Sequence, residues 1–240
     1  MEYVTSKSNL IQVLDPVMGD DRELYVAPEV VPIYKSIIPY ADIILPNQSE
    51  AEWLTDCTID SLDSVALCLK ELHRRYHVSH VVISSLRLDS HPDKILCCGS
   101  TATSSFQPRT FLIEAPYIRG TFVGTGDLFA ALLLVWLHNN VDRLVPEDSV
   151  CGPDLPLARA LERVIGTMQE VLRKSKEAMD RQLKEDGDLT GLPEREKLVK
   201  LMRAAELRLV QSQSSILTPR VDIKAVPFST PCVTFRSSLN

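Results

Sequence analysis

Short, continuous apolar runs alternate with stretches of helical periodicity along most of this chain, and that rhythm leaves few folds open. Residues 10–14, 41–45, 80–84, 95–98 and 110–114 read as strands. Between and after them, residues 30–39 read as a helix that ends at Pro39, and residues 48–54 as a short helix. Residues 62–76 form a longer one, with apolar side chains at 62, 65, 66, 69 and 72. A further helix starts at Thr125, and a long amphipathic one covers residues 156–183. Strands without polar alternation are buried on both faces. Their alternation with helices predicts an α/β fold: a three-layer αβα arrangement around a mostly parallel sheet.

The later part of the chain is less regular. Residues 181–196 are charged, carry two glycines and a proline, and read as a loop. Residues 206–211 fit either a final strand or a helix continuing from Glu194. After Ser212 the chain is rich in Ser, Thr and Pro, which predicts a loosely packed tail over 213–240 behind a main unit of 1–212.

Composition removes several classes of function. A net charge of −6 and the lack of a basic stripe with interleaved aromatics argue against nucleic acid as a partner. The longest apolar run, residues 128–137, is too short to span a bilayer, so no membrane partner is expected. Residues 1–9 are polar, without the apolar core of a secretory signal. The six cysteines, at 57, 68, 97, 98, 151 and 232, form no Cys-x-x-Cys pair, and two are adjacent. Reduced thiols in a cytoplasmic protein are the simplest reading, with a nuclear share left open. His73 and His77 are four apart on a helix, but a metal pair needs a third ligand and none is evident nearby.

The segment Phe122-Val123-Gly124-Thr125-Gly126-Asp127-Leu128 carries the most chemistry. Glycines let backbone N–H groups approach a ligand closely. The helix that follows presents unpaired N–H donors and a partial positive charge, which attract phosphate. An aspartate there can take the proton of a hydroxyl that attacks a phosphoryl group. The structural alternative is that Asp127 merely complements the helix dipole. No Gly-Lys-Ser/Thr follows, so this is not a Walker loop, and a dinucleotide fingerprint would need a third glycine.

Other polar clusters follow the strands. Asp15-Pro16-Val17-Met18-Gly19-Asp20 comes after the first, and its two aspartates suit a cation or a metal-bound phosphate, or simply a turn. Pro46-Asn47-Gln48-Ser49-Glu50 comes after the second, with Asn47 and Glu50 at capping-box spacing. Ser84-Ser85 closes the third. Ligands in open α/β sheets gather at the carboxyl ends of strands. Together these segments would bring Asp15, Asp20, Asn47, Glu50, Ser84 and Asp127 to one sheet edge.

The motifs Asp-Pro-Val-Met-Gly-Asp, Ala-Asp-Ile-Ile-Leu-Pro-Asn-Gln-Ser-Glu-Ala-Glu, Phe-Val-Gly-Thr-Gly-Asp-Leu-Phe-Ala-Ala and Glu-Leu-Arg-Leu-Val-Gln-Ser occur in this order. In that combination the chain resembles the pyridoxal kinases of the ribokinase-like superfamily, over roughly residues 10 to 212, and its Leu-Tyr-Val-Ala-Pro-Glu segment is similar to yeast-like members. The resemblance implies ATP-dependent phosphorylation of the 5′-hydroxymethyl of pyridoxal, pyridoxine and pyridoxamine. It makes Asp127 the base and Gly124, Thr125 and Gly126 the anion hole. It assigns Asp15, Asp20, Asn47, Ser84, Ser85, Ile118, Arg119 and Gly120 to ATP, and Asp15 and Glu50 to the metal, with Asp20 opening a flap over the nucleotide. The implied cofactors are ATP and magnesium. Potassium is a further candidate, weakened by Leu45 standing where some members carry a threonine near a monovalent cation. A homodimer is implied as well.

One departure accompanies the resemblance. Members of the family begin with several βα units that form much of the vitamin pocket, whereas the first strand here matches mid-fold. The ribokinase-like fold is therefore expected in an N-terminally truncated form, with an open strand edge, a tendency to aggregate and little activity when alone. Two alternatives stand beside the main reading: another ribokinase-like kinase acting on a hydroxymethylpyrimidine or a sugar, or a nucleotide-binding fragment impaired in catalysis.

Overall fold

Two helices begin with the same reciprocal cap. The Asn47 side chain accepts the Glu50 N–H, and the Glu50 carboxylate accepts the Asn47 N–H, at the start of α2 (Gln48–Thr55). Ser61 and Ser64 repeat the device for α3 (Leu62–Tyr76). Both helices end where the next residue, Asp56 or His77, turns left-handed. Ahead of them, α1 (Val30–Ile37) stops two residues short of Pro39 and tightens into a 3₁₀ turn over Ile38–Tyr40. The computed structural model describes residues 10–138 and 147–228, and the features below belong to those residues.

Six strands form one sheet: β1 (Val13–Leu14), β4 (Ile43–Ile44), β5 (His80–Leu86), β6 (Lys94–Ala102), β7 (Pro108–Pro116) and β8 (Val226–Pro227), in that spatial order. A separate hairpin pairs β2 (Gly19–Asp20) with β3 (Glu23–Leu24). The parallel pairing expected from the alternating pattern holds from β1 through β4 to β5. From β5 to β8 the pairing is antiparallel. The short links from β5 to β6 and from β6 to β7 leave no room for a crossover helix, so these strands must reverse.

Strand side chains alternate between two cores, which explains why the strands read as unbroken apolar runs. Ile44, Val81, Ile83, Cys98 and Leu112 face one core, shared with α2 and α3. Ile43, Val82, Cys97, Phe111 and Ile113 face the other, shared with α4 (Thr125–His138) and α5 (Pro156–Asp186). This is the expected three-layer arrangement. Among the described residues β1 pairs only with β4, so its other edge is open.

Three local expectations change. Helix α5 continues to Asp186, so the loop expected over 181–196 shrinks to the stretch before α6 (Glu194–Ala204). Residues 206–211 form no strand. The helix reading holds to Ala204, and one isolated bridge joins Glu206 to Val123. The first part of the segment expected to be loose is tied down: after α7 (Gln213–Leu217), β8 pairs with β7 and Phe228 is buried. Residues 229–240, with Cys232, lie outside the described residues. His73 is a core residue. Its ring bonds the Val78 carbonyl and the Ser100 hydroxyl, both at 2.8 Å, and burial lowers its pKa.

Candidate active site

Parallel strands point the same way, so the residues after β1 and β4 and those near the end of β5, which runs past Ser84-Ser85 to Leu86, arrive at one edge of the sheet. There they line a cleft of about 1000 Å³. Asp15, Asp20, Asn47, Glu50, Ser84 and Ser85 stand along it. Pairing between β5 and β6 is irregular from Ile83 to Leu86, and such a bulge re-aims side chains, here those of the two serines. Ile118, Gly120, Thr125 and Gly126 line the cleft as well. Arg119, Gly124 and Asp127 belong to the same segments but lie outside the lining. The exposed Arg119 side chain reaches toward Asp93, at 3.8 Å.

The turn before α4 needs one of its glycines. Gly124 has φ +82°, a conformation that side-chain-bearing residues rarely adopt. A methyl group placed on it would lie 3.9 Å from Asp127 Oδ2, and one placed on Gly126 would lie 3.7 Å from Asp15 Oδ2. Both aspartates therefore stand beside the start of α4. Burial, and then the charge of Asp127, raise the Asp15 pKa. Behind the turn, the Val123 N–H donates to the Ala205 carbonyl, so the end of α6 braces it.

Glu50 is buried and occupied. One carboxylate oxygen accepts the Met18 N–H at 2.9 Å and the other the Asn47 N–H at 2.8 Å. Burial pushes its carboxyl up to about 7, although the N–H donors pull it down. The Asn47 amide donates to the Gly19 carbonyl at 2.7 Å. Both residues thus hold the loop after β1 against α2. Among the described residues, no group of three or more His, Cys, Asp or Glu is arranged to hold a metal by itself.

Several lining residues carried no signal in the sequence. The Arg87 guanidinium sits over the Tyr117 ring, 4.6 Å from its centroid, at one wall. Ile165, Met168, Gln169 and Leu172 come from one face of α5. Their i, i+3, i+4, i+7 spacing shows a buried face but does not say that part of it meets a cleft.

The three-layer sheet, with a glycine turn and an aspartate at the start of α4, is the ribokinase-like arrangement, although α4, expected to be buried on most sides, leaves Leu134 and Val135 exposed. A family model described as phosphomethylpyrimidine kinase matches residues 1–143. Over 223 residues the chain is 34% identical to the pyridoxal kinase of Arabidopsis thaliana, covering 92% of this chain and 62% of that protein. Over 234 residues it is 32% identical to the pyridoxal kinase of Ovis aries, covering 93% and 67%. A structure of PdxK from Plasmodium falciparum with AMP-PNP and PL matches with a TM-score of 0.68 and 28% identity, over 91% of this chain and 61% of that one. Pyridoxal kinase from Leishmania donovani in complex with ADP and pyridoxamine matches with a TM-score of 0.70 and 25% identity, over 91% and 62%. The chain belongs to the phosphomethylpyrimidine kinase family, in its pyridoxal kinase branch. It spans roughly three fifths to two thirds of the length of these relatives. Among the described residues no helix is long and apolar enough to cross a membrane.

Proposed function

We propose that the protein transfers the terminal phosphoryl group of ATP to the 5′-hydroxymethyl of pyridoxal, pyridoxine or pyridoxamine. The observation that carries this reading is the meeting of Asp15, Gly126 and Asp127 at the mouth of α4. Asp127 takes the proton of the substrate hydroxyl as its oxygen bonds to phosphorus and the bond to the leaving ADP oxygen breaks. The backbone N–H groups of Gly124, Thr125 and Gly126, at the positive end of α4, stabilise the charge on the phosphoryl group. Asp15, Asp20, Asn47, Ser84 and Ser85 form the nucleotide side, together with the backbone of residues 118–120. In support, Asp15, Asp20, Asn47, Ser84, Ser85, Ile118 and Gly120 line one cleft, together with Thr125 and Gly126.

Magnesium, when bound, neutralises charge on the phosphates, and Asp15 and Glu50 are the residues that would hold it. Asp15 suits that ion, because magnesium is usually held by one or two carboxylates together with substrate phosphates, whereas both Glu50 oxygens already accept backbone N–H groups and leave only their remaining lone pairs for it. Asp15 also stands close enough to Asp127 for like charge to raise its pKa, a repulsion that a cation would relieve. Potassium is a weaker candidate, since Leu45 at the cleft offers no side-chain oxygen. Homodimer assembly and a cytoplasmic setting belong to the same proposal. The free thiols of the buried Cys97 and Cys98 suit a reducing compartment.

Removing Asp15 and Glu50 separates metal binding from capping. Asp15→Ala is expected to raise the magnesium concentration for half-maximal activity while leaving the melting temperature nearly unchanged. Glu50→Ala is expected to raise it too, and to cost about 2 kcal/mol or more of stability, because two N–H groups lose their acceptor. Magnesium titrations that do not move would leave Asp15 as a turn residue and Glu50 as a cap.

A substrate panel tests the function as a whole. ATP-dependent phosphate transfer to pyridoxal, pyridoxine and pyridoxamine is compared with transfer to a hydroxymethylpyrimidine and to a sugar. Faster turnover of the pyrimidine alcohol would replace this reading with the one named by the family model.

A further inference from the structure

We infer that Arg22 is a positioning residue that clamps the β2–β3 hairpin over the cleft by forking onto Glu52 of α2. The inference rests on reading the cleft as the nucleotide site. The hairpin turns through Asp21 and Arg22, whose φ angles are +46° and +64°. Two-residue hairpin turns with both central residues left-handed strongly favour Asn-Gly or Asp-Gly. Arg at the second position opposes the turn, so contacts outside the hairpin must hold it.

Those contacts are specific. The Arg22 N–H donates to the Ser49 hydroxyl at 2.9 Å. Its Nε and Nη2 donate to Glu52 Oε2 and Oε1, each at 3.2 Å. Glu52 Oε1 also accepts the Ile59 N–H at 2.6 Å. The Glu52 side chain is only 11% exposed against 62% for Arg22, so the carboxylate is the fixed partner and the guanidinium the arm. Asp20, Asp21, Arg22 and Tyr25 line the cleft from the hairpin, and Ile59 and Asp60 line it from the loop before α3. Glu52 thus ties two parts of the cleft lining to α2. An exposed ion pair contributes little to stability in general. A two-point fork fixes direction, however, and a single ammonium cannot reproduce it. With the clamp in place the hairpin is ordered before nucleotide arrives. Without it, nucleotide binding must order the hairpin and is weakened accordingly.

Calorimetric titration with AMP-PNP and magnesium reads this directly, on the wild type, Arg22→Gln, Arg22→Lys, Glu52→Gln and the Arg22→Gln/Glu52→Gln pair. Each glutamine variant is expected to weaken AMP-PNP binding by about five- to tenfold, and the pair no more than its weaker single. Arg22→Lys is expected to recover only part of the loss, and melting temperatures are expected to change little. Affinities within twofold of wild type, fully multiplying losses in the pair, or a wild type that does not bind AMP-PNP would each overturn the inference. Should Glu52→Gln fail to fold, Arg22→Gln and Arg22→Lys, at an exposed side chain, still decide it. A wild type that binds AMP-PNP yet phosphorylates no vitamer would sink the proposed function and leave the clamp standing.

Discussion

Asp127→Asn is expected to lower turnover by at least ~10²-fold, the range for a positioned general base. The change is nearly isosteric and removes only charge and basicity. Asp127 lies in the first turn of α4 and is exposed. Among the described residues its side chain makes no hydrogen bond or ion pair, so it does not cap its own helix. The remaining structural role is to complement the helix dipole, worth roughly 0.3–1 kcal/mol at an exposed site. The melting temperature should therefore fall only slightly, and AMP-PNP affinity should stay within a few-fold. A two-decade loss of turnover beside a nearly unchanged fold and nucleotide affinity is the signature of a base. Activity that survives within a few-fold would leave Asp127 as a dipole partner and send the search for the base elsewhere along the cleft.

The limits of α3 were legible because every cue there is local. Apolar residues recur there at helical spacing, and the structure adds a Ser61 cap at one end and a left-handed His77 at the other. The cap made by Asn47 and Glu50 was legible for the same reason. The gathering of Asp15, Asn47 and Ser84 at one edge followed from parallel strands sharing a direction. Less was visible where the deciding contact is distant in sequence. Residues 206–211 alternate as a strand would, but only Glu206 meets a partner backbone, at Val123. Leu10 stays exposed, and the first strand shortens to Val13–Leu14, paired on one side among the described residues. The antiparallel half of the sheet had no signature apart from its short links. Arg22 and Glu52 are thirty residues apart, and no spacing rule connects them.

The cross-strand pair of Phe111 and Gly99 supports the most severe structural prediction. They are register partners in β7 and β6. A Cβ built on Gly99 would come within 2.2 Å of the Phe111 ring, so the glycine makes room for the ring and the ring covers the bare backbone. Phe111 is fully buried and belongs to the same core as Phe129, Leu132 and Leu133 of α4. Phe111→Ala is expected to cost about 3–5 kcal/mol, a large share of a net stability of ~5–15 kcal/mol. In a chain of this size that corresponds to a melting temperature lower by roughly 10 °C. Activity should fall with it, because α4 carries the turn proposed to be catalytic. Gly99→Ala should also destabilise, since its methyl group has no space beside the ring. In the double variant the methyl group moves into the room the ring has left, so the combined loss should be smaller than the sum of the singles. Thermal melts of the four proteins measure this coupling. Strictly additive losses would mean that Gly99 is not there for Phe111, and that the ring is held by α4 and α5 alone.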